Sequence, residues 1–302
     1  RRAFGAVDSP HFNALVRQVP THFALDDHEF DDNFSGLHEG ASLNERERWQ
    51  YAREMAACYM SSVRNQVAVG PAGTTTVSSP FYYPLACPGE SDFPVFVTDT
   101  RSQRQLRSHS NPTGYQLVED PQLRALTDWL QQAADSAPDS PKFIVSGSIV
   151  APLPTAYCEG GATWRRLDGW AGYPATLEVV LDCIVANGIR NVFFIGGDAH
   201  LSALARLRVE SPGHEAIDVW QIVSSGLYAP MPFANSHVEH YRWDVAHSVP
   251  VHVKTHLSIT CTNTLLSDAY SQFVQVDASD SAVRVSCRDH HNNELAQEYI
   301  EL

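Results

Sequence analysis

Short apolar runs that end in polar residues recur along this chain, and they constrain its fold more than any other feature. Residues 22–25, 142–147 and 192–195 have the length of buried strands, and residues 94–101 begin as a strand and continue into a polar loop. Two of the runs lead directly into clusters of acidic residues and histidine. This pattern predicts an α/β protein that places its chemistry in turns at strand ends.

Segments with helical spacing lie between the predicted strands. Residues 43–69 mix apolar side chains with Glu, Arg, Ala and Met, and a Gly-Pro-Ala-Gly turn follows them. A second helix is predicted to start with Asp120 as its cap and Pro121 at its first position, and a third covers residues 174–186. Strands and helices that alternate in this way are typical of a layered α/β fold.

The pattern changes after Asp218, where short alternating segments predict antiparallel strands. These strands are predicted at residues 219–223, 251–254, 257–260 and 273–276. We predict a single domain over residues 1–302 that includes these C-terminal strands.

Composition narrows the possible ligands. The chain has 302 residues, of which 43% are hydrophobic, so it can bury a sizeable core. Its formal net charge of −14 argues against binding to a nucleic-acid backbone, which usually requires a basic face. An acidic protein can still act on phosphates when bound cations supply the local positive charge.

The six cysteines are scattered without a Cys-x-x-Cys pair, so a zinc ribbon is not expected, and both free thiols and a few disulfides remain open. No stretch has the roughly 18 to 20 apolar residues of a membrane span. The N-terminus lacks the apolar run of a signal peptide, so a mature secreted form and a cytoplasmic form are equally compatible with the sequence.

The two acidic-histidine clusters, residues 24–33 and 194–202, are the strongest functional signal. Carboxylate, imidazole and amide oxygen suit hard or borderline metal ions. In the second cluster Asp198 and His200 flank one residue after a Gly-Gly pair, so both side chains can turn toward one ion. The alternatives are a solvated turn for the second cluster and an exposed acidic loop for the first. We predict a metal-dependent hydrolase.

Five ordered segments resemble the PhoD-like alkaline phosphatases and phosphodiesterases of the calcineurin-like metallophosphoesterase superfamily. The first contains the Asp-Asp-His-Glu sequence typical of that family, and the match extends over about residues 20–230. The segments are residues 20–33, 97–104, 168–174, 197–202 and 224–230.

The resemblance implies a fold and a reaction. The fold is a two-sheet sandwich of mixed sheets flanked by helices, in α/β/β/α order, with a multinuclear metal site at the strand ends. The reaction is hydrolysis of phosphate monoesters, diesters or both, in which a metal-activated water attacks phosphorus in line. The implied partner is a phosphorylated small molecule or a phosphodiester.

The resemblance also assigns roles by position. Asp198 and His200 correspond to metal ligands, Asp27 lies where the superfamily usually offers an asparagine ligand, and Asn33 is a competing candidate. His28 lies where a histidine stabilises the transition state or protonates the leaving oxygen, a role that suits an imidazole.

Three further residues are assigned to the substrate. Arg101 is predicted to hold the phosphate with a bidentate fork, and Trp170 and Tyr173 to form walls of the pocket. Oxygen-rich ligands favour calcium, magnesium or manganese, and a neighbouring histidine permits iron or zinc, so the identity of the metal remains open.

One part of the family pattern is not found in this sequence. The family has an earlier Gly-Asp-x-x-Tyr-type motif that supplies further ligands, and no such motif precedes Asp26. We therefore expect either that a further segment or chain completes the site, or that the site is incomplete. The alternative function is a catalytically weak or silent domain of the same fold that acts as a binding or assembly partner.

Overall fold

The computed structural model describes most of the sequence in twelve segments. These are residues 14–15, 17–19, 21–22, 24–27, 41–64, 82–85, 93–105, 114–151, 169–224, 247–250, 256–269 and 271–302. The helices are α1 (Leu43–Arg64), α2 (Asp120–Ser136) and α3 (Pro174–Ala186), with a 3-10 turn at Trp170–Gly172. The strands are β1 (Tyr83–Leu85), β2 (Val95–Val97), β3 (Lys142–Ser146), β4 (Val192–Gly196), β5 (Ser202–Glu210), β6 (Ile217–Ser224), β7 (His247–Pro250), β8 (Ser258–Ser267), β9 (Gln272–Ala278), β10 (Ala282–Asp289) and β11 (Glu294–Glu301).

Eight strands form one mixed sheet in the order β1-β2-β3-β4-β6-β5-β8-β7. Strands β2, β3, β4 and β6 are parallel, while β1, β5 and β7 are antiparallel to their neighbours. A parallel pair needs a crossover connection, and α2 and α3 provide it between β2 and β3 and between β3 and β4. The carboxyl ends of these strands therefore meet at one edge of the sheet.

Both faces of the large sheet are covered, which explains its continuous apolar strands. On one face Ile144 and Phe194 belong to a core with buried residues of α2 and α3. On the other face Phe143 and Phe193 pack with Val283 and neighbouring residues of a second, three-stranded sheet, in the order β11-β10-β9. The predicted two-sheet sandwich with helices outside is confirmed.

The predicted elements match the structure most closely where short apolar runs are flanked by polar residues, glycine or proline. Helix α3 has the predicted limits, and β3 and β4 differ from prediction by one residue at an end. Strands β1, β5, β7, β10 and β11 were not predicted, although the end of β5 alternates apolar and charged residues as a half-buried strand does. The predicted strand at residues 251–254 lies outside the described residues.

The starts of α1 and α2 differ in whether a side chain caps the free backbone N–H groups. In α2 the cap is Glu119, not the predicted Asp120, and its side chain makes no capping hydrogen bond. In α1, Ser42 and Glu45 form a reciprocal capping box with distances of 2.8 and 3.2 Å. Helix α1 covers the predicted helix up to Arg64, and the predicted residues 65–69 lie outside the described residues. None of the helices that the structure describes is long and apolar enough to cross a membrane.

Cys183, Cys261 and Cys287 are free thiols. Burial raises the pKa of Cys183 and of Cys287 above the usual value for a thiol. Both thiols therefore stay protonated over a wider pH range than an exposed cysteine.

The turn between β10 and β11 depends on one carboxylate. The Asn293 side chain donates to Oδ2 of Asp289 at 2.9 Å, and Oδ1 accepts the backbone N–H groups of Asn293 and His291 at 2.8 and 2.9 Å. The Asn293 side-chain bond, followed by these backbone bonds, holds the pKa of Asp289 below 3.8. A carboxyl group with a lowered folded pKa stabilises the protein above its unfolded pKa, and this stabilisation is lost as pH falls through the folded pKa. Asp289→Asn should therefore lower Tm at pH 7, and the difference from wild type should shrink below pH ~4. A Tm difference independent of pH would contradict this assignment.

Candidate functional site

The candidate site lies at the edge where the carboxyl ends of β2, β3 and β4 meet. Three loops leave the sheet there: residues 98–105 after β2, 147–151 after β3, and 197–201 after β4. Parallel strands bring the ends of segments that are distant in sequence together, and open α/β sheets bind their ligands at such edges.

A fourth segment, residues 24–27, crosses the end of β3. A Cβ atom added at Gly147 would lie 1.8 Å from the carbonyl oxygen of Leu25, and the Leu25 side chain has no exposed surface. The prediction of a strand at residues 22–25 is wrong, because its described residues His22, Ala24 and Leu25 have no strand assignment. This segment packs onto the strand end as irregular backbone.

Three carboxylates converge at this edge, those of Asp26, Asp27 and Asp198. One oxygen of each lies within 4.8 Å of the others, and we call this group the acidic cluster. Asp27 is 4% exposed, and the Asp198 side chain is 12% exposed. Asp26 belongs to the first acidic-histidine cluster of the sequence but was not predicted as a metal ligand. Its position next to Asp27 is the sequence feature that could have identified it.

The loop after β4 orients the second pair of predicted ligands. Asp198 and His200 both have left-handed backbone, with φ of 74° and 56°. Residues other than glycine adopt this conformation seldom, and Asp and His do so more readily than most. Nδ1 of His200 is buried and has no hydrogen-bond partner among the described residues. This nitrogen is therefore available to a ligand, although His200 lies outside the 4.8 Å group.

Arg101 connects the acidic cluster to the end of β3. Its guanidinium has no exposed surface. Nη2 lies 2.6 Å from Asp26 Oδ1 and 3.2 Å from Asp198 Oδ2, and it donates to the Gly147 carbonyl oxygen at 2.7 Å. Nε also donates to that oxygen, at 3.2 Å. Its predicted contact with a substrate phosphate stays a prediction.

The loop that carries Arg101 is polar and yet buried: each residue from 98 to 104 has at most 8% of its surface exposed. Buried polar groups require partners, and Asp99 provides several of them. Its carboxylate accepts the N–H groups of Arg101 and Ser102 at 3.1 and 2.8 Å and the hydroxyl of Ser102. Burial raises the pKa of Asp99, and these hydrogen bonds oppose that effect.

Helix α2 holds the same loop from the other side. Oε1 of Gln122 accepts the backbone N–H of Asp99 at 2.7 Å, and its Nε2 donates to the Asp99 carbonyl oxygen at 2.9 Å. Gln122 is fully buried at the start of the helix. These bonds determine the backbone position from which Arg101 reaches the cluster.

The two predicted pocket walls, Trp170 and Tyr173, are completely buried. Trp170 donates its indole N–H to Ser146 Oγ at 3.0 Å, and its ring packs edge-on against Phe194 at 5.5 Å between centroids. The guanidinium carbon of Arg104 lies 5.6 Å from the ring centroid of Tyr173. The structure gives both rings a packing role beneath the loops, and contact with substrate stays a prediction.

Two predicted site residues, His28 and Asn33, lie outside the described residues. Of the predicted metal ligands, the structure brings Asp27 and Asp198 together, adds Asp26, and places a buried imidazole nitrogen of His200 on the same loop as Asp198. Carboxylate and imidazole donors suit hard or borderline cations. The donor set thus fits the ions that the sequence resemblance implies.

The fold and the position of this site define the class of protein as a calcineurin-like α/β sandwich with an acidic cluster at its strand ends. The sequence profile of the PhoD-like phosphatases matches residues 5–264. The chain belongs to the PhoD-like phosphatase family.

A solved structure of PhoD has the same fold. It superimposes with a TM-score of 0.54 at 15% sequence identity, and the match covers 91% of this chain and 50% of the PhoD chain. This chain therefore corresponds to about half the length of that structure. No curated protein matched the sequence.

Proposed function

We propose that this protein hydrolyses phosphate esters in a metal-dependent reaction. The observation that carries the proposal is the convergence of Asp26, Asp27 and Asp198 from two separate loops at the carboxyl edge of the sheet, in a chain of the PhoD-like phosphatase family. Three carboxylates within 4.8 Å repel one another in their ionised forms, and such an arrangement is stabilised by cations.

The proposed ligands are Asp27, Asp198 and His200 from the sequence resemblance, with Asp26 added by the geometry. Asn33 remains a proposed ligand from the resemblance. Bound cations supply positive charge for the phosphate and lower the pKa of a water molecule to the neutral range. Candidate ions are calcium, magnesium, manganese, iron and zinc.

The remaining roles belong to side chains of this chain. His28 is proposed to protonate the leaving oxygen, which an imidazole can do near neutral pH. The buried loop of residues 98–104 keeps its backbone rigid beside the cluster, because its polar groups bond to α2 and β3. A rigid edge keeps the carboxylates in one arrangement during the reaction.

The test is hydrolysis of 4-nitrophenyl phosphate and bis(4-nitrophenyl) phosphate by the full chain. The protein is stripped with a chelator and then supplied separately with Ca²⁺, Mg²⁺, Mn²⁺, Fe³⁺ or Zn²⁺. We expect hydrolysis of at least one ester that disappears with the chelator and returns with metal. Hydrolysis that is indifferent to chelation, or no hydrolysis with any ion or ion pair, would refute the proposal.

The second candidate function is a catalytically silent domain of the same fold that binds a partner. The observation that favours it is the contact of Arg101 with Asp26 and Asp198, because a guanidinium already neutralises part of the cluster. Metal analysis of the purified chain separates the two functions. A stoichiometric load of two or more ions supports the hydrolase, and a metal-free chain supports the silent domain.

A further inference from the structure

Arg101 joins three segments that are far apart in sequence. It lies in the loop after β2, binds Asp26 on the segment that crosses β3, binds Asp198 after β4, and donates twice to the carbonyl of Gly147 after β3. No part of its side chain is exposed. A guanidinium in this position always carries its charge, since it does not deprotonate in proteins.

The charge of Arg101 acts directly on the proposed metal ligands. Its Nη2 lies 2.6 Å from one oxygen of Asp26 and 3.2 Å from one oxygen of Asp198. These two residues supply two of the three carboxylates of the acidic cluster. A positive charge so close to a cation site opposes a second positive charge, and burial limits the screening by solvent.

We propose that Arg101 is a built-in counter-cation that competes with metal ions for the acidic cluster and so sets its metal affinity. This rests on the proposed function, because it takes the cluster to be a metal site. Arg101 neutralises part of the charge of the cluster. Metal binding then has to overcome the repulsion of its guanidinium.

This role differs from that of a phosphate-binding arginine. A group that holds the substrate phosphate must present its donors to the open side of the site. The Nε and Nη2 atoms of Arg101 point instead to the Gly147 carbonyl and to the carboxylates, inside a fully buried loop. We therefore assign Arg101 to the metal site, as a positioning residue.

The test compares Arg101→Gln with Arg101→Lys in the full chain. Glutamine keeps a hydrogen-bond donor but removes the charge. Lysine keeps the charge but lacks the planar, forked arrangement of N–H donors of a guanidinium. Mn²⁺ is titrated by calorimetry into chelator-stripped protein. We expect Arg101→Gln to bind Mn²⁺ about tenfold more tightly than wild type, a change that corresponds to about 1.4 kcal/mol. Arg101→Lys should stay within roughly threefold of wild type, because the competing charge remains.

A second measurement is the Tm of the stripped protein. Removal of the counter-cation leaves three carboxylates unbalanced, so Arg101→Gln should melt earlier than wild type without metal and gain more from saturating Mn²⁺. The matched control is Arg206→Gln. Arg206 forms a 2.5 Å pair with Asp218 on the surface of β5 and β6, and its loss should leave the Mn²⁺ affinity unchanged.

Several results would overturn the proposal. Equal or weaker Mn²⁺ binding by Arg101→Gln would show that the charge of Arg101 does not compete. Unchanged Mn²⁺ affinity with a raised KM for the phosphate ester would assign Arg101 to the substrate. Absence of Mn²⁺ binding in both wild type and Arg101→Gln would also overturn it. By contrast, tighter binding by Arg101→Gln without hydrolysis by wild type would support the counter-cation and refute the hydrolase.

Discussion

Asp198→Asn should abolish both metal binding and ester hydrolysis. Asp198 is the carboxylate that the β4 loop contributes to the acidic cluster, and the other two come from a single segment. Loss of a residue that merely supports a metal ligand costs about 10- to 100-fold in affinity or activity, so loss of a direct ligand should cost at least ~100-fold. Asparagine keeps the shape and one oxygen acceptor, which should preserve the contact with Arg101 and the fold.

The measurements are the metal content after dialysis and kcat/KM with the nitrophenyl esters. The matched control is Asp277→Asn, which removes an exposed carboxylate of β9 that lies 3.8 Å from Arg284. It should retain full metal content and activity. An Asp198→Asn protein that keeps its metal and hydrolyses the esters at the wild-type rate would show that the acidic cluster is not the catalytic site.

Gly147→Ala should disrupt the same site through the backbone. The new Cβ atom would lie 1.8 Å from the carbonyl oxygen of Leu25, a distance that real Cβ contacts do not reach. The atom it meets is backbone, so no side-chain rotation relieves the contact, and residues 24–27 must move. We expect a loss of about 3 kcal/mol in the free energy of unfolding, the upper part of the range for overpacking. The displaced segment carries Asp26 and Asp27, so metal binding should be lost as well.

Gly188→Ala provides the control for conformational strain. Gly188 has φ of 63°, and nothing lies within 4 Å of a Cβ atom added there. Its replacement should cost about 1 kcal/mol through the left-handed backbone alone and leave metal binding intact. Thermal and urea unfolding with the Mn²⁺ titration would compare the two variants. Equal small losses of stability, with metal binding retained in both, would contradict the predicted clash at Gly147.

Part of the candidate site was predictable because its residues are neighbours in sequence. Asp27 follows an apolar segment, and Asp198 and His200 follow β4 in a Gly-Gly turn. Local chemistry of this kind is visible without a structure. The roles predicted for His28 and Asn33 stay predictions. The assignment of Asp26 to the cluster was not predictable, because a run of four charged or ionisable residues does not reveal which of them face one point.

The roles of the aromatic residues and of Arg101 depend on how deeply their side chains are buried. Sequence patterns do not give that information. Trp170 and Tyr173 lie in a motif of the family, yet both are fully buried beneath the loops. Similarly, residues 98–104 were predicted as a polar loop, and the sequence did not show that this loop is buried. Their burial is possible only because Gln122 and the strand ends satisfy their polar groups.

The sequence by itself determined the layered α/β class, the positions of β3, β4 and α3, and the family, because these depend on local periodicity and on motifs in order. Only the tertiary structure decided which polar residues meet. Arg101 and Asp26 are 75 positions apart, and their 2.6 Å contact exists because β3 and the segment that crosses it bring them to one edge. Such contacts depend on the packing of separate loops around a strand end, and the chain's local preferences do not specify them.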